Sequence, residues 1–217
     1  MARFRRKDLK RPDVFVSTTQ RGIEWAITHQ RNLMIGVGSL LAVLVALGAI
    51  SLSNAARRRQ ANEELANALA PLRAKNYADA ATQLRNVADS WSSAAVGQLA
   101  RLYAADAELE AGNAELAMND LNMLVSDPPP ADYLQQQVAL NLGYALEAKQ
   151  DYAGAADNYA KAAALSGPYR SLALLREGRV REQLGDKEGA GGIYEKFIAD
   201  FPGAPEVQIA EARLRGL

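Results

Sequence analysis

KNYADAATQLRNVADSW (75–91), GNAELAMNDLNMLVSDPP (112–129), QDYAGAADNYAKAAALSGP (150–168) and GDKEGAGGIYEKFIADFP (185–202) decide the fold when they are set in register. The alignment puts a small residue at Ala80, Ala117, Ala155 and Ala190. Four positions on stand Leu84, Leu121, Tyr159 and Tyr194, and three further Val87, Leu124, Ala162 and Phe197. The alanines are 37, 38 and 35 residues apart, a period that marks a repeat architecture. The pattern is that of an antiparallel helix pair. A small residue lets two helices approach, and large apolar residues fill the next groove. Lys75-Asn76, Gly112-Asn113, Gln150-Asp151 and Gly185-Asp186 break the chain between helices.

The first helix of each pair is less regular. LNLGYALEA (140–148) carries Leu142-Gly143 at the close-packing point, and LLREGRVREQL (174–184) carries Gly178 there. The second unit has Ala104-Ala105, and the first only Asn67-Ala68, with Pro71 interrupting the helix. On these residues the chain resembles the tetratricopeptide repeat family, with four units over roughly residues 60–202. Steps longer than the ideal period imply insertions, most visibly at Asp127-Pro128-Pro129-Pro130. APEVQIAEARLRG, after Pro202, reads as a further amphipathic helix that caps the last apolar face.

Upstream, Asn32 to Ala56 carries no charge, and Leu33 to Leu52 is apolar apart from Ser39 and Ser51. As a helix this core spans roughly 30 Å, the thickness of a bilayer's hydrocarbon region. The run is longer than the apolar region of a signal peptide, although Ser53-Asn54-Ala55 has the small residues of a weak cleavage pattern. Gly36, Gly38 and Ser39 are small, but without GxxxG spacing they predict no dimer. The expected class is therefore all-α. A single N-terminal transmembrane helix is followed by an α-solenoid of about four tetratricopeptide-like helix pairs and a C-terminal capping helix. The divisions fall at 1–31 (a basic tail), 32–56 (the span) and 57–217 (the repeat domain).

The chain has 25 basic and 25 acidic residues, unevenly placed. Residues 1–31 hold eight basic and three acidic side chains, a net +5, and the remainder is −5. Basic residues in a short segment stay cytoplasmic, whereas a long domain is translocated with little regard to charge. The expectation is a bacterial inner-membrane protein with a cytoplasmic N-terminus and a periplasmic repeat domain. Arg57, Arg58 and Arg59, immediately after the span, argue against that orientation. The basic tail is explained by anionic lipid rather than nucleic acid. Phe15, Thr19, Ile23, Ala26 and Ile27 share one helical face near Trp25, which suits the inner leaflet or a partner helix equally.

There is no cysteine and one histidine, His29, with no second ligand nearby. No metal site and no cofactor are expected. Nor is there a nucleophile elbow, a phosphate loop or a histidine pair, so an enzyme is not expected. Asp106, Glu108 and Glu110 on an alanine-rich helix read as a solvated face. The whole arrangement, including LKRPDVFVSTTQ in the tail, resembles the YfgM-type proteins of the bacterial inner membrane. That resemblance implies an ancillary role at the Sec translocon, beside a membrane-anchored periplasmic chaperone, in export or envelope-protein quality control.

Two classes of function stay open: a module that binds protein in a groove, and a scaffold for another inner-membrane complex, including one of envelope assembly or cell division. For the groove, the fifth position of each first helix is leucine, at Leu65, Leu102, Leu140 and Leu175. Four on stand Asp106, Tyr144 and Arg179, and seven on Leu109, Glu147 and Glu182. An apolar stripe edged by polar groups suits a partner peptide or helix. The same leucines would equally pad the gap between adjacent repeats.

Overall fold

A computed structural model describes residue 25 and residues 27–217. The basic tail and most of the amphipathic stretch, with Phe15, Thr19, Ile23 and Ala26, lie outside the described residues. Among those described there are helices and turns and no strand. The helices are α1 (Gln30–Ala68), α2 (Ala70–Arg73), α3 (Tyr77–Ser90), α4 (Ala95–Glu110) and α5 (Ala114–Ser126). They continue as α6 (Asp132–Ala148), α7 (Tyr152–Ala164), α8 (Arg170–Gln183), α9 (Lys187–Asp200) and α10 (Val207–Gly216). The chain divides into two compact units, with the boundary in sequence between Arg58 and Arg59.

In the first unit α1 is long and apolar enough to cross a membrane. Met34, Ile35, Leu40, Val43, Leu47 and Ile50 are each more than half exposed. Among the described residues of this unit nothing covers this surface, and a hydrocarbon phase would. Ahead of it, His29 stacks on Trp25 with ring centroids 5.0 Å apart, and its Nδ1 lies 3.0 Å from the Trp25 carbonyl.

In the second unit successive helices pack as neighbouring pairs, α4 with α5, α6 with α7 and α8 with α9, while α3 packs on α4 and α10 on α9. The expected register holds. Ala80, Ala117, Ala155 and Ala190 are all 0% exposed, and the large residues four and seven positions on are buried too. The break at Pro71 is accommodated by ending α1 at Ala68 and starting the short α2, with proline in its first turn, where its missing N–H is not needed.

The turns repeat one geometry. Lys75, Gly112, Gln150 and Gly185 all take positive φ, between 59° and 80°. Each donates to the carbonyl three residues back, and the next residue donates to the one five back, as in Gly112 to Leu109 (3.0 Å) and Asn113 to Glu108 (2.8 Å). This is the Schellman closure, which satisfies the last carbonyls of a helix. Asp151 and Asp186 then cap the following helices, accepting from Gly154 and Gly189 N–H at 3.0 Å.

Candidate protein-binding groove

The leucines of the expected stripe sit in the core. Leu65, Leu102 and Leu140 are 8%, 1% and 3% exposed, and Leu175 is partly buried against the last core cluster. What the first helices present lies one turn further on. Because α4, α6 and α8 lie side by side, Asp106, Leu109 and Glu110 from α4, Asn141 and Tyr144 from α6 and Arg176 from α8 line a common cavity of about 550 Å³.

Each of those groups is positioned. Asp106 accepts from Gln137 Nε2 at 3.1 Å and from Asn141 Nδ2, so both carboxylate oxygens are held by α6. Burial pushes its pKa up to about 6 despite these bonds, which oppose the shift, and Glu110 adds to the rise. The Arg176 guanidinium lies 4.8 Å over the Tyr144 ring, a cation–π contact. Tyr144 in turn meets Tyr159 edge-on at 5.7 Å. Among the described residues Arg176 has no ion-pair partner, so the groove offers an aromatic face with a cation beside it.

Glu147, Arg179 and Glu182 build a ladder along the same face. Glu147 accepts from Tyr159 Oη at 2.8 Å and pairs with Arg179 of the next first helix. Glu182 repeats this with Tyr194 Oη at 2.6 Å and Arg213 of α10 at 3.0 Å. Burial and the adjacent glutamates push both tyrosine pKa values up, keeping the hydroxyls as donors. Of the expected site residues, Asp106, Leu109 and Tyr144 therefore share the cavity. Glu147, Arg179 and Glu182 are committed to structural pairs.

One expectation is corrected. Asp106 is not part of a solvated face, its carboxylate being buried and held by α6, and neither is Glu108, which is 4% exposed. The position of Glu108 on α4 turns it toward α3, where Arg85 pairs with it at 3.0 Å and with Asp120 at 2.8 Å, while Arg101 joins Asp120 to Asp89. Sequence reasoning also passed over Asn141, Gln137 and Arg176. The signal for the first two was an amide in the interior of an alanine–leucine helix, which is out of place unless it has a partner.

Among the described residues no three histidine, aspartate or glutamate side chains gather as metal ligands. No curated protein matches the chain. The tetratricopeptide repeat family model matches residues 172–204, the fourth helix pair from α8 through the end of α9, and a match of that kind supports a protein–protein interaction module.

Proposed function

We propose that the chain is a membrane-anchored protein-interaction module that receives a partner segment against α4, α6 and α8. The observation that carries this reading is the cavity holding the Tyr144 ring with the unpaired Arg176 over it. Aromatic residues and arginine are the residue types that dominate binding energy at interfaces. Leu140 acts behind them, as a floor that fixes Tyr144.

The setting we infer is protein export or envelope-protein quality control at the Sec translocon. The N-terminus is cytoplasmic and the repeat domain periplasmic. This rests on the charge difference across the apolar helix, on the repeat match and on the resemblance of the whole arrangement to YfgM-type proteins. The partners would be the translocon or a membrane-anchored chaperone. A reporter fused at Leu217 that is active only outside the cytoplasm is the expected result, and an active cytoplasmic reporter there defeats the export reading.

The groove is tested by Tyr144→Ala with Arg176→Ala in the full chain. Both side chains are half-buried at a surface, so the fold survives, and loss of translocon co-purification is expected. Retained co-purification by the folded variant overturns the groove. A scaffold role acting through the apolar helix is the second reading, favoured by that helix's uncovered apolar surface. It requires that residues 1–60 alone keep every partner.

A further inference from the structure

The junctions between successive repeats can be compared position by position. At the first junction the groove between second helices α3 and α5 is closed by ion pairs. Arg85, five residues after Ala80, and Asp120, three after Ala117, meet across it, with Arg101 and Glu108 of α4 completing the set. At the third junction the equivalent positions are Ala160, Ile193, Leu174 and Arg181. Leu174 is 1% exposed, Ile193 packs on the core, and Arg181 is held by Glu177 and Asp186.

The middle junction has neither kind of plug. Its equivalent positions are Asn122, Asn158, Ala139 and Leu146, which are short or neutral. All four line a cavity of about 470 Å³, walled by α5 and α7, floored by α6 and closed by Pro128 and Pro129. The floor is apolar, with Val138 and Leu142, and at the rim Val125 stands 57% exposed. An uncovered apolar recess of this size marks a place for a ligand.

We propose that this groove is a second binding site, which takes an extended apolar segment of another polypeptide with a carboxylate beside it. The chemistry of the rim selects that occupant. Lys161 is the one charged residue among those lining the cavity, and among the described residues it has no ion-pair partner. An unpaired cation at the edge of an apolar recess favours an anionic group on the incoming chain. The other rim groups are amides. The Gln135 and Asn158 side chains donate to Pro129 and Gly154 carbonyls, at 2.8 and 2.9 Å, and keep their own oxygens open. The Asn122 amide is uncommitted. Extended backbone carries unpaired N–H and C=O groups along its length for these amides to meet, whereas a helical segment offers them only at its ends. This site faces away from the Tyr144 cavity and is independent of the reading given for that face.

The test uses the full chain in lipid nanodiscs, since detergent would itself fill an apolar groove. The probe is a fluorescent hexapeptide, Leu-Val-Leu-Leu-Ala-Asp, compared with its counterpart ending in Lys, by anisotropy against empty discs. The acidic peptide should bind about threefold tighter, as one partly exposed ion pair allows. Lys161→Glu should invert that preference. Asn122→Arg with Ala139→Arg and Asn158→Asp rebuilds the ion-paired plug and should weaken both peptides at least about tenfold, while Tyr144→Ala with Arg176→Ala leaves binding unchanged. An unaltered preference in Lys161→Glu overturns the proposal, and so does loss of binding only in the Tyr144→Ala, Arg176→Ala protein. If the plugged variant fails to fold, the exposed Lys161→Glu change decides alone.

Discussion

In the first two repeats the close contact between helices pairs Ala68 with Leu84 and Ala105 with Leu121, each pair sharing one core cluster. In the last two it pairs Gly143 with Tyr159 and Gly178 with Tyr194. A methyl group added at either glycine would lie 2.3 or 2.6 Å from the tyrosine ring. The partners are sixteen residues apart in all four cases. Summed volume is what the site conserves: the larger ring is admitted only where the opposing residue gives up its Cβ. Tyrosine also brings a hydroxyl that must be satisfied when buried. Four residues after each glycine stands Glu147 or Glu182, which accepts it, whereas four after each alanine stands Leu72 or Leu109. One change of ring therefore carries two others with it, and the charged groups move. The first half keeps its ion pairs between α3, α4 and α5, and the second pairs the tyrosine-bound glutamates, Glu147 with Arg179 and Glu182 with Arg213.

The hardest way to break this comparison is overpacking. Gly143→Leu should cost about 3 kcal/mol, the upper part of the usual range, and lower Tm by roughly 10 °C for a domain of this size. Asp157→Leu, on the exposed side of α7, should stay within about 0.5 kcal/mol. Thermal denaturation followed by circular dichroism compares the two, and equal effects would mean that Gly143 is not the contact point. A milder version converts one half into the other. Gly143→Ala and Tyr159→Leu should each destabilise, yet their combination should recover at least about 1 kcal/mol of the summed loss. Gly143→Ala with Tyr194→Leu, taken from different repeats, should simply add.

Asp106 stands where the halves meet, and its burial makes the junction depend on pH. The unfolded carboxyl loses its proton near 3.8 and the folded one near 6. The folded state therefore holds an extra proton between those values. Stability present below pH 3.8 is lost as pH rises through 6, by up to about 3 kcal/mol. Asp106→Asn should remove that fall, so the variant should gain on the wild type in urea titrations from pH 4 to 7. Parallel curves would sink the assignment.

Smaller effects follow at the hydroxyls and turns. Tyr159→Phe and Tyr194→Phe should each cost about 1.5–3 kcal/mol, the worth of a hydrogen bond to a charged acceptor. The leucine repeats have no equivalent loss to show. Gln150→Gly and Lys75→Gly should each stabilise by about 0.5–1 kcal/mol, because a side chain at positive φ is strained where Gly112 and Gly185 are not.

The helix pairs and their register were legible because the spacing of alanine, large apolar residue and turn survives in every unit. The binding face was harder to read. Leucines such as Leu102 and Leu140 carry no mark that separates a groove wall from a core position, and both proved buried. Glu108 and Glu110 look alike in an alanine-rich helix, although one is ion-paired against α3 and the other exposed. Only the crossing of neighbouring helices distinguishes them, and crossing angles are not written in a single helix's periodicity.

The unplugged middle junction also bears on how the domain opens. Solenoids gain stability from nearest-neighbour interfaces, so they come apart at the weakest one. The junction between the second and third repeats has a recess between the second helices α5 and α7 and a buried carboxylate between the first helices α4 and α6, without the ion-paired plug of the junction before it. Amide hydrogen exchange should then resolve two cooperative blocks that part there. The turns flanking residues 126–132 should exchange through the cheaper opening, and α3–α4 and α8–α9 only through the costlier ones.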